Sequence, residues 1–344
     1  MNAAVLYGSE NLKVESVDIP RLGADDALVR VKVALVCGTD LKVWKRGYHA
    51  RMITPPAIFG HELAGVVERL GSGVHGDLRV GARVVPSNSA PCNVCLFCRK
   101  GQSNLCEDLL FNNGAYAEYI RIPGRIVQQN MLEIPDHVSF RDAALVEPLA
   151  CVLRGIHETG IQPGDTTVVI GCGPIGLKFI RILAVRGVNV IALGKRPNQL
   201  KAAERFGARA AFIATDLLDP AQAVRELTEG KRGADSVIEA VGTAKTWEWA
   251  LRMVRKGGTV NLFGGCPRGT LVEVDPNVLH YSEITVKSTF HHNPRFIREA
   301  LEAIARGEIR SSDFVNAEIP LADLPKMFQH MKHRNGEMKV AVIP

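Results

Sequence analysis

From about residue 143 the chain alternates continuous apolar runs with amphipathic ones. Residues Thr166–Ile170 (TTVVI), 188–193 (VNVIAL), 236–240, 259–263 and 284–289 read as strands. Between the first two, residues 174–186 gather small and apolar side chains on one side of a helix. Another helix opens at Pro197 and runs to about Phe206, where Gly207 ends it. Such strand–helix–strand alternation predicts a parallel sheet covered on both faces. The first 150 residues differ: short β-like runs broken by glycine and proline dominate, among them Ala27–Leu35, 65–70 and 79–85. Few long helical patterns appear there. The tail, from about Phe290, shows helices at 296–305 and near 323–332, then a strand at 339–343. It is expected to return to the first domain. The predicted fold class is α/β, a doubly wound parallel sheet over 151–290 beside an irregular, mostly β domain from 1–150 and 291–344.

Composition narrows the possibilities. A chain of 344 residues with 46% apolar content can fill two cores. No stretch approaches the roughly 18 continuous apolar residues of a membrane span. The start, MNAAVLYGSENLKVESVDIP, carries charges early and lacks an apolar signal core. A cytoplasmic location is expected, where the 8 cysteines favour metal ligation over disulfides. The net charge of +6 is spread along the chain, too diffuse to point to nucleic acid. The expected partner is a small molecule, with neither nucleic acid nor membrane.

Four of the cysteines, Cys92, Cys95, Cys98 and Cys106, fall within PCNVCLFCRKGQSNLC. Short Cys-x-x-Cys steps let thiolates converge on one ion, and four of them complete a tetrahedral zinc shell. Such a shell has no open position and is structural. An iron–sulfur cluster is the alternative occupant of four cysteines at short spacing. Cys151, Cys172 and Cys266 read as buried packing residues.

Strand Thr166–Ile170 runs straight into GCGPIG: Gly171, Cys172, Gly173, Pro174, Ile175 and Gly176. With an apolar strand before it and a helix after it, this G-x-G-x-x-G reads as a Rossmann dinucleotide turn. Gly171 permits the tight turn, Gly173 lets the backbone approach a pyrophosphate, and Gly176 lets helix and strand pack closely. The helix N-terminus supplies N–H groups for the phosphates. The carboxylate expected about twenty residues on, for the ribose hydroxyls, falls on Gly194. Two cations, Lys195 and Arg196, follow it. Gly194 leaves room and the cations suit a 2′-phosphate, so NADP(H) is expected in preference to NAD(H).

Cys37 (in CGTD), His61 (in FGHELAG) and Glu147 (in LVEPL) offer a thiolate, an imidazole and a carboxylate, a zinc set with one position open. Sequence distance alone does not bring them together. The whole chain, however, resembles the zinc-dependent medium-chain dehydrogenases, and within them the sorbitol and threonine dehydrogenase branch. CGTD at Cys37, GHELAGVVERLGSGV at Gly60, the cysteine lobe, GAYAEY at Gly114, EPLAC at Glu147 and GCGPIG at Gly171 carry the likeness. The resemblance implies Cys37, His61 and Glu147 as ligands of a catalytic zinc, making two zinc ions per chain. Glu62, beside His61, is the other carboxylate in reach, directly or through water. Asp40 would accept from His61 and orient the ring. Zinc acting as a Lewis acid on an alcohol oxygen, with Thr39 hydrogen-bonding that oxygen and passing its proton outward, would serve hydride exchange with the nicotinamide. The substrate is then an alcohol or polyol, or the matching carbonyl, bound in a cleft between the domains.

Related enzymes often carry a histidine five residues past the first ligand; here Lys42 stands there. Lys42, Lys45, Arg46, His49 and Arg51 form either a site for a phosphorylated polyol or sugar, or a solvated edge. His291 and His292 either line the substrate or belong to a loop before a helix. A homodimer or homotetramer is implied, built by extending the sheet near 284–289 across a partner. Two rival classes remain: a zinc-free quinone or enone reductase of the same superfold, against which Cys37, His61 and Glu147 argue, and a zinc-ribbon nucleic-acid binder, against which GCGPIG and the lack of a basic stripe argue.

Overall fold

The computed structural model describes residues 1–49, 51–332 and 338–344. The chain divides into two compact units, Cys151–His291 and the remainder, Met1–Ala150 with His292–Pro344. Among the described residues no helix is long and apolar enough to cross a membrane.

The central unit is built on six parallel strands. Their order across the sheet is Ala208–Ile213, Asn189–Gly194, Thr166–Ile170, Ala234–Glu239, Val254–Leu262 and Thr285–Lys287. The chain therefore leaves Thr166–Ile170 in one direction and returns to build on its other side, making a ligand crevice at the carboxyl ends of the strands. Val168, Val190, Val237 and Val260 are fully buried, as strands covered on both faces require. Burying each such side chain stabilises the sheet by about 1.5–3 kcal/mol. The buried polar pair Thr167 and Ser236 is satisfied internally, hydroxyl to hydroxyl at 2.8 Å. Helices Pro174–Val185 and Pro197–Arg205 start at prolines, whose missing N–H costs nothing in a first turn.

In the other unit the strand Ala27–Leu35 is the hub. It pairs antiparallel with Glu62–Leu70, Tyr119–Ile122 and the tail strand Val340–Ile343. The pairing of Ala341 with Leu35 is what ties the tail to the first segment. Trp44, Phe59, Tyr116 and the tail residue Phe328 cluster in this core, with ring centroids 5.6–6.4 Å apart. Two sequence expectations shift here. Residues 79–82 turn rather than extend, with Gly81 at φ +88°, so the strand is Arg83–Pro86. A helix, Gly38–Arg46, follows Cys37 where no helix was expected. Its start is set by Cys37 Sγ accepting from Thr39 N and Asp40 accepting from Cys37 N, and Val43 and Trp44 bury its apolar face.

Candidate functional site

The start of that helix and the start of strand Glu62–Leu70 bring three donors together. A ligand atom of Cys37, one of His61 and one of Glu62 all lie within 4.8 Å of one another, and His61 and Glu62 are buried. Asp40 Oδ1 sits 2.9 Å from His61 Nδ1, which leaves Nε2 as the ring's ligand atom. Asp40 is in turn held by the Tyr116 hydroxyl at 2.5 Å and by Cys37 N at 3.0 Å, both on Oδ2. Burial pulls His61 toward the neutral ring, yet Asp40 and Cys37 outweigh it and raise the imidazole well above its ordinary range. The pocket thus favours positive charge at the point where its donors converge, which suits a dication.

Glu62 is fully buried, and Lys339 Nζ stands 2.5 Å from its Oε2. Lys339 also donates to Val36 O at 3.2 Å. Burial lowers the Lys339 ammonium, but Glu62 and then Cys37 raise it by more, so the pair is ionic.

Glu147 is not part of this triad. It lies in the first turn of helix Val146–Thr159, where Oε1 accepts from Asn88 Nδ2 at 3.3 Å. Burial foremost, with help from Glu62 and against the charge of His61, pushes its carboxyl up to about 7. The carboxylate meeting Cys37 and His61 is therefore Glu62, which adjoins His61 on its strand. Sequence spacing could not rank the two, because the choice depends on which way each carboxylate is turned.

Thr39 is half-buried on the first turn beside Cys37. Lys42, Lys45, Arg46 and Arg51 are exposed, and His49 is half-buried. His292 is buried, its Nε2 3.1 Å from Ser87 Oγ and 2.9 Å from Asn88 Oδ1. His291 ends the central unit at φ +67° with its ring stacked on Phe290. Asn88, Tyr116 and Lys339 carry no role that sequence reasoning assigns. Tyr116 sits inside GAYAEY, and Lys339 is a lone cation opening the apolar run KVAVIP; those were the available signals. Asn88 had none.

In the cysteine lobe all four sulfurs converge within 4.8 Å, with 4.0 Å between Cys92 and Cys98 and between Cys95 and Cys106. None is in a disulfide. The N–H groups of Cys98 and Glu107 lower the Cys95 thiol to about 6, while desolvation and the neighbouring sulfurs push Cys98 up to about 12. Four sulfurs converging at this spacing match a tetrahedral thiolate shell, and the set fits zinc.

In the central unit Gly171 takes φ +104°, and a Cβ on Gly176 would stand 1.7 Å from Gly171 O. Both positions therefore require glycine. The first-turn N–H groups of Ile175 and Gly176 have no partner inside helix Pro174–Val185, as any helix start requires, and suit a phosphate. Gly194 departs from expectation: a Cβ there would meet Leu200 at 3.0 Å and Cys172 Sγ at 3.1 Å. Packing inside the protein explains that glycine, rather than room for a ligand. Lys195 is exposed, Arg196 is half-buried, and neither has an acidic partner among the described residues.

Residues 23–136 match the alcohol dehydrogenase GroES-like domain and residues 174–306 match the zinc-binding dehydrogenase family. A zinc-binding dehydrogenase of Sinorhizobium meliloti 1021, solved with NADP, is 32% identical with a TM-score of 0.89, covering 100% of this chain and 99% of that one. An alcohol dehydrogenase from Thermus sp. ATN1 is 31% identical with a TM-score of 0.90, over 100% and 99% of the two chains. The sorbitol dehydrogenase of Bacillus subtilis is 28% identical, over 100% of this chain and 97% of that protein.

Proposed function

Because the chain belongs to the polyol branch of the zinc-dependent medium-chain dehydrogenases, and is a zinc-dependent alcohol or polyol oxidoreductase, we propose how its own residues divide the work. The carrying observation is the convergence of Cys37, His61 and Glu62 within 4.8 Å, with Asp40 on the far nitrogen of the imidazole. Cys37 Sγ, His61 Nε2 and a Glu62 oxygen hold the catalytic zinc, and Cys92, Cys95, Cys98 and Cys106 hold a second, structural one. The catalytic ion supplies Lewis acidity toward an alcohol or carbonyl oxygen. Asp40 fixes the tautomer and angle of His61, and Tyr116 and Cys37 N fix Asp40. Thr39 Oγ1 accepts the substrate hydroxyl proton and passes it toward solvent. Lys339 balances the charge of Glu62.

Ile175 and Gly176 N–H groups bind the cofactor pyrophosphate, and Lys195 and Arg196 bind a 2′-phosphate. Neither cation has an acidic partner among the described residues, which supports NADP(H) as the preferred nicotinamide carrier. The protein acts as a homo-oligomer. Among the described residues Thr285–Lys287 has one sheet neighbour, and the nearby Tyr281 and Val286 are exposed, so a second copy continues the sheet.

The test is a screen of polyols, sugars, their phosphates and secondary alcohols with each nicotinamide cofactor, alongside metal analysis. Two zincs per chain, with one lost in Cys37→Ser, are expected. A clear preference for NAD, or a Cys37→Ser protein that keeps both ions, would overturn the respective assignment.

A further inference from the structure

Behind the ligand triad lies a buried polar chain made from three distant segments. Ser87 and Asn88 follow strand Arg83–Pro86, Glu147 opens helix Val146–Thr159, and His292 begins the tail segment. All four are at most 9% exposed. Asn88 stands in the middle and uses both ends of its amide. Its Nδ2 donates to Glu147 Oε1 at 3.3 Å, and its Oδ1 is 2.9 Å from His292 Nε2. The same imidazole nitrogen is 3.1 Å from Ser87 Oγ. Asn88 thus donates through its amide nitrogen to Glu147 and meets His292 through its amide oxygen, bridging the two.

Resting on the reading of Cys37 and His61 as ligands, we propose that Asn88, backed by His292, is the positioning residue that decides which carboxylate completes the catalytic metal shell. By committing Glu147 Oε1 to its amide, Asn88 keeps Glu147 out of the shell and leaves the place to Glu62. Two carboxylates stand close enough to sense each other, and only the one not tied to Asn88 lies within 4.8 Å of Cys37 and His61. His292 is then a support for this latch and not a substrate residue.

The experiment compares cobalt(II)-substituted wild type with Asn88→Ala, Glu147→Gln and the double variant, by visible d–d spectrum and by chelator competition. Asn88→Ala frees Glu147, so the spectrum shifts and metal affinity changes by about 10–100-fold, the usual span for an outer partner. In the Glu147→Gln background the same substitution has no effect on either readout. An unchanged Asn88→Ala spectrum and affinity overturns the proposal, as does an equal shift in both backgrounds. A raised KM at unchanged metal affinity also overturns it and assigns Asn88 to the substrate. Should Asn88→Ala fail to fold, His292→Ala is measured instead: it removes the partner of Asn88 Oδ1, so a shifted cobalt spectrum that reverts in the Glu147→Gln background is expected, and an unchanged spectrum counts against the latch. Cys37→Ser separates the two levels: retention of the catalytic ion there sinks the ligand reading, whatever Asn88 does.

Discussion

Lys339→Met removes the cation from the most deeply buried ion pair of the site. Lys339 is 3% exposed and Glu62 fully buried, with 2.5 Å between Nζ and Oε2. Water cannot replace the lost ammonium there. Removing one member of such a pair costs about 3–5 kcal/mol, because the remaining charge stays buried and unmatched. For a domain of this size each kcal/mol moves the thermal midpoint by about 2–4 °C, so a fall of about 6–20 °C is expected. That figure applies to protein stripped of metal by a chelator. With zinc loaded, the dication neutralises Glu62 in place of Lys339, and the loss should shrink by at least half. Adding Glu62→Gln to Lys339→Met should recover most of the stripped protein's loss, since no buried charge is then left. Calorimetry of wild type, both single variants and the double variant, with and without zinc, reads all of this. Equal losses with and without zinc, or a loss below about 1 kcal/mol in stripped protein, would refute the argument that Glu62 is a buried anion facing the metal.

Three further outcomes are expected. Tyr116→Phe removes the hydroxyl 2.5 Å from Asp40 Oδ2, and chelator competition should show zinc held about 10–100-fold more weakly; unaltered affinity would strike Tyr116 from the chain behind His61. Replacing Lys195 and Arg196 together by Ala should raise the KM for NADP by at least ~10-fold, the worth of one hydrogen bond to a charged group, while the KM for NAD stays put; equal rises would show that the pair reads no 2′-phosphate. Asp142 accepts from Ser311 N at 2.6 Å and from Ser139; burial raises its carboxyl, but these hydrogen bonds more than offset it and lower the value. A depressed folded value means stability present above the unfolded value of about 3.9 and lost as pH falls through the folded one. Asp142→Asn should therefore lower the unfolding midpoint at pH 7 and match wild type near pH 2, and a constant difference across that range would contradict the assignment.

Much of the central unit is legible in the sequence. Thr166–Ile170, the helix from Pro174 and the helix from Pro197 emerge where local pattern places them. Buried parallel strands are continuous apolar runs, and their glycines and prolines answer to local backbone demands. The first unit was less legible. Helix Gly38–Arg46 is amphipathic over only two turns, and its start depends on a cysteine acting as a cap. Gly194 is visible as a departure from the dinucleotide pattern, but its cause lies in Cys172 and Leu200, one of which comes from another part of the unit.

By itself the sequence determined what short-range chemistry can determine. Four thiols spaced to share one ion, a glycine turn that no larger residue could make, and the alternation of strand and helix are properties of neighbours in the chain. Tertiary structure alone decided which carboxylate meets Cys37 and His61, that Lys339 comes from the tail to balance it, and that Asn88 bridges Glu147 and His292. These choices follow from side-chain directions set by strands and helix starts far apart in sequence. Burial then makes them strict, because a buried polar group must find its partner inside the protein.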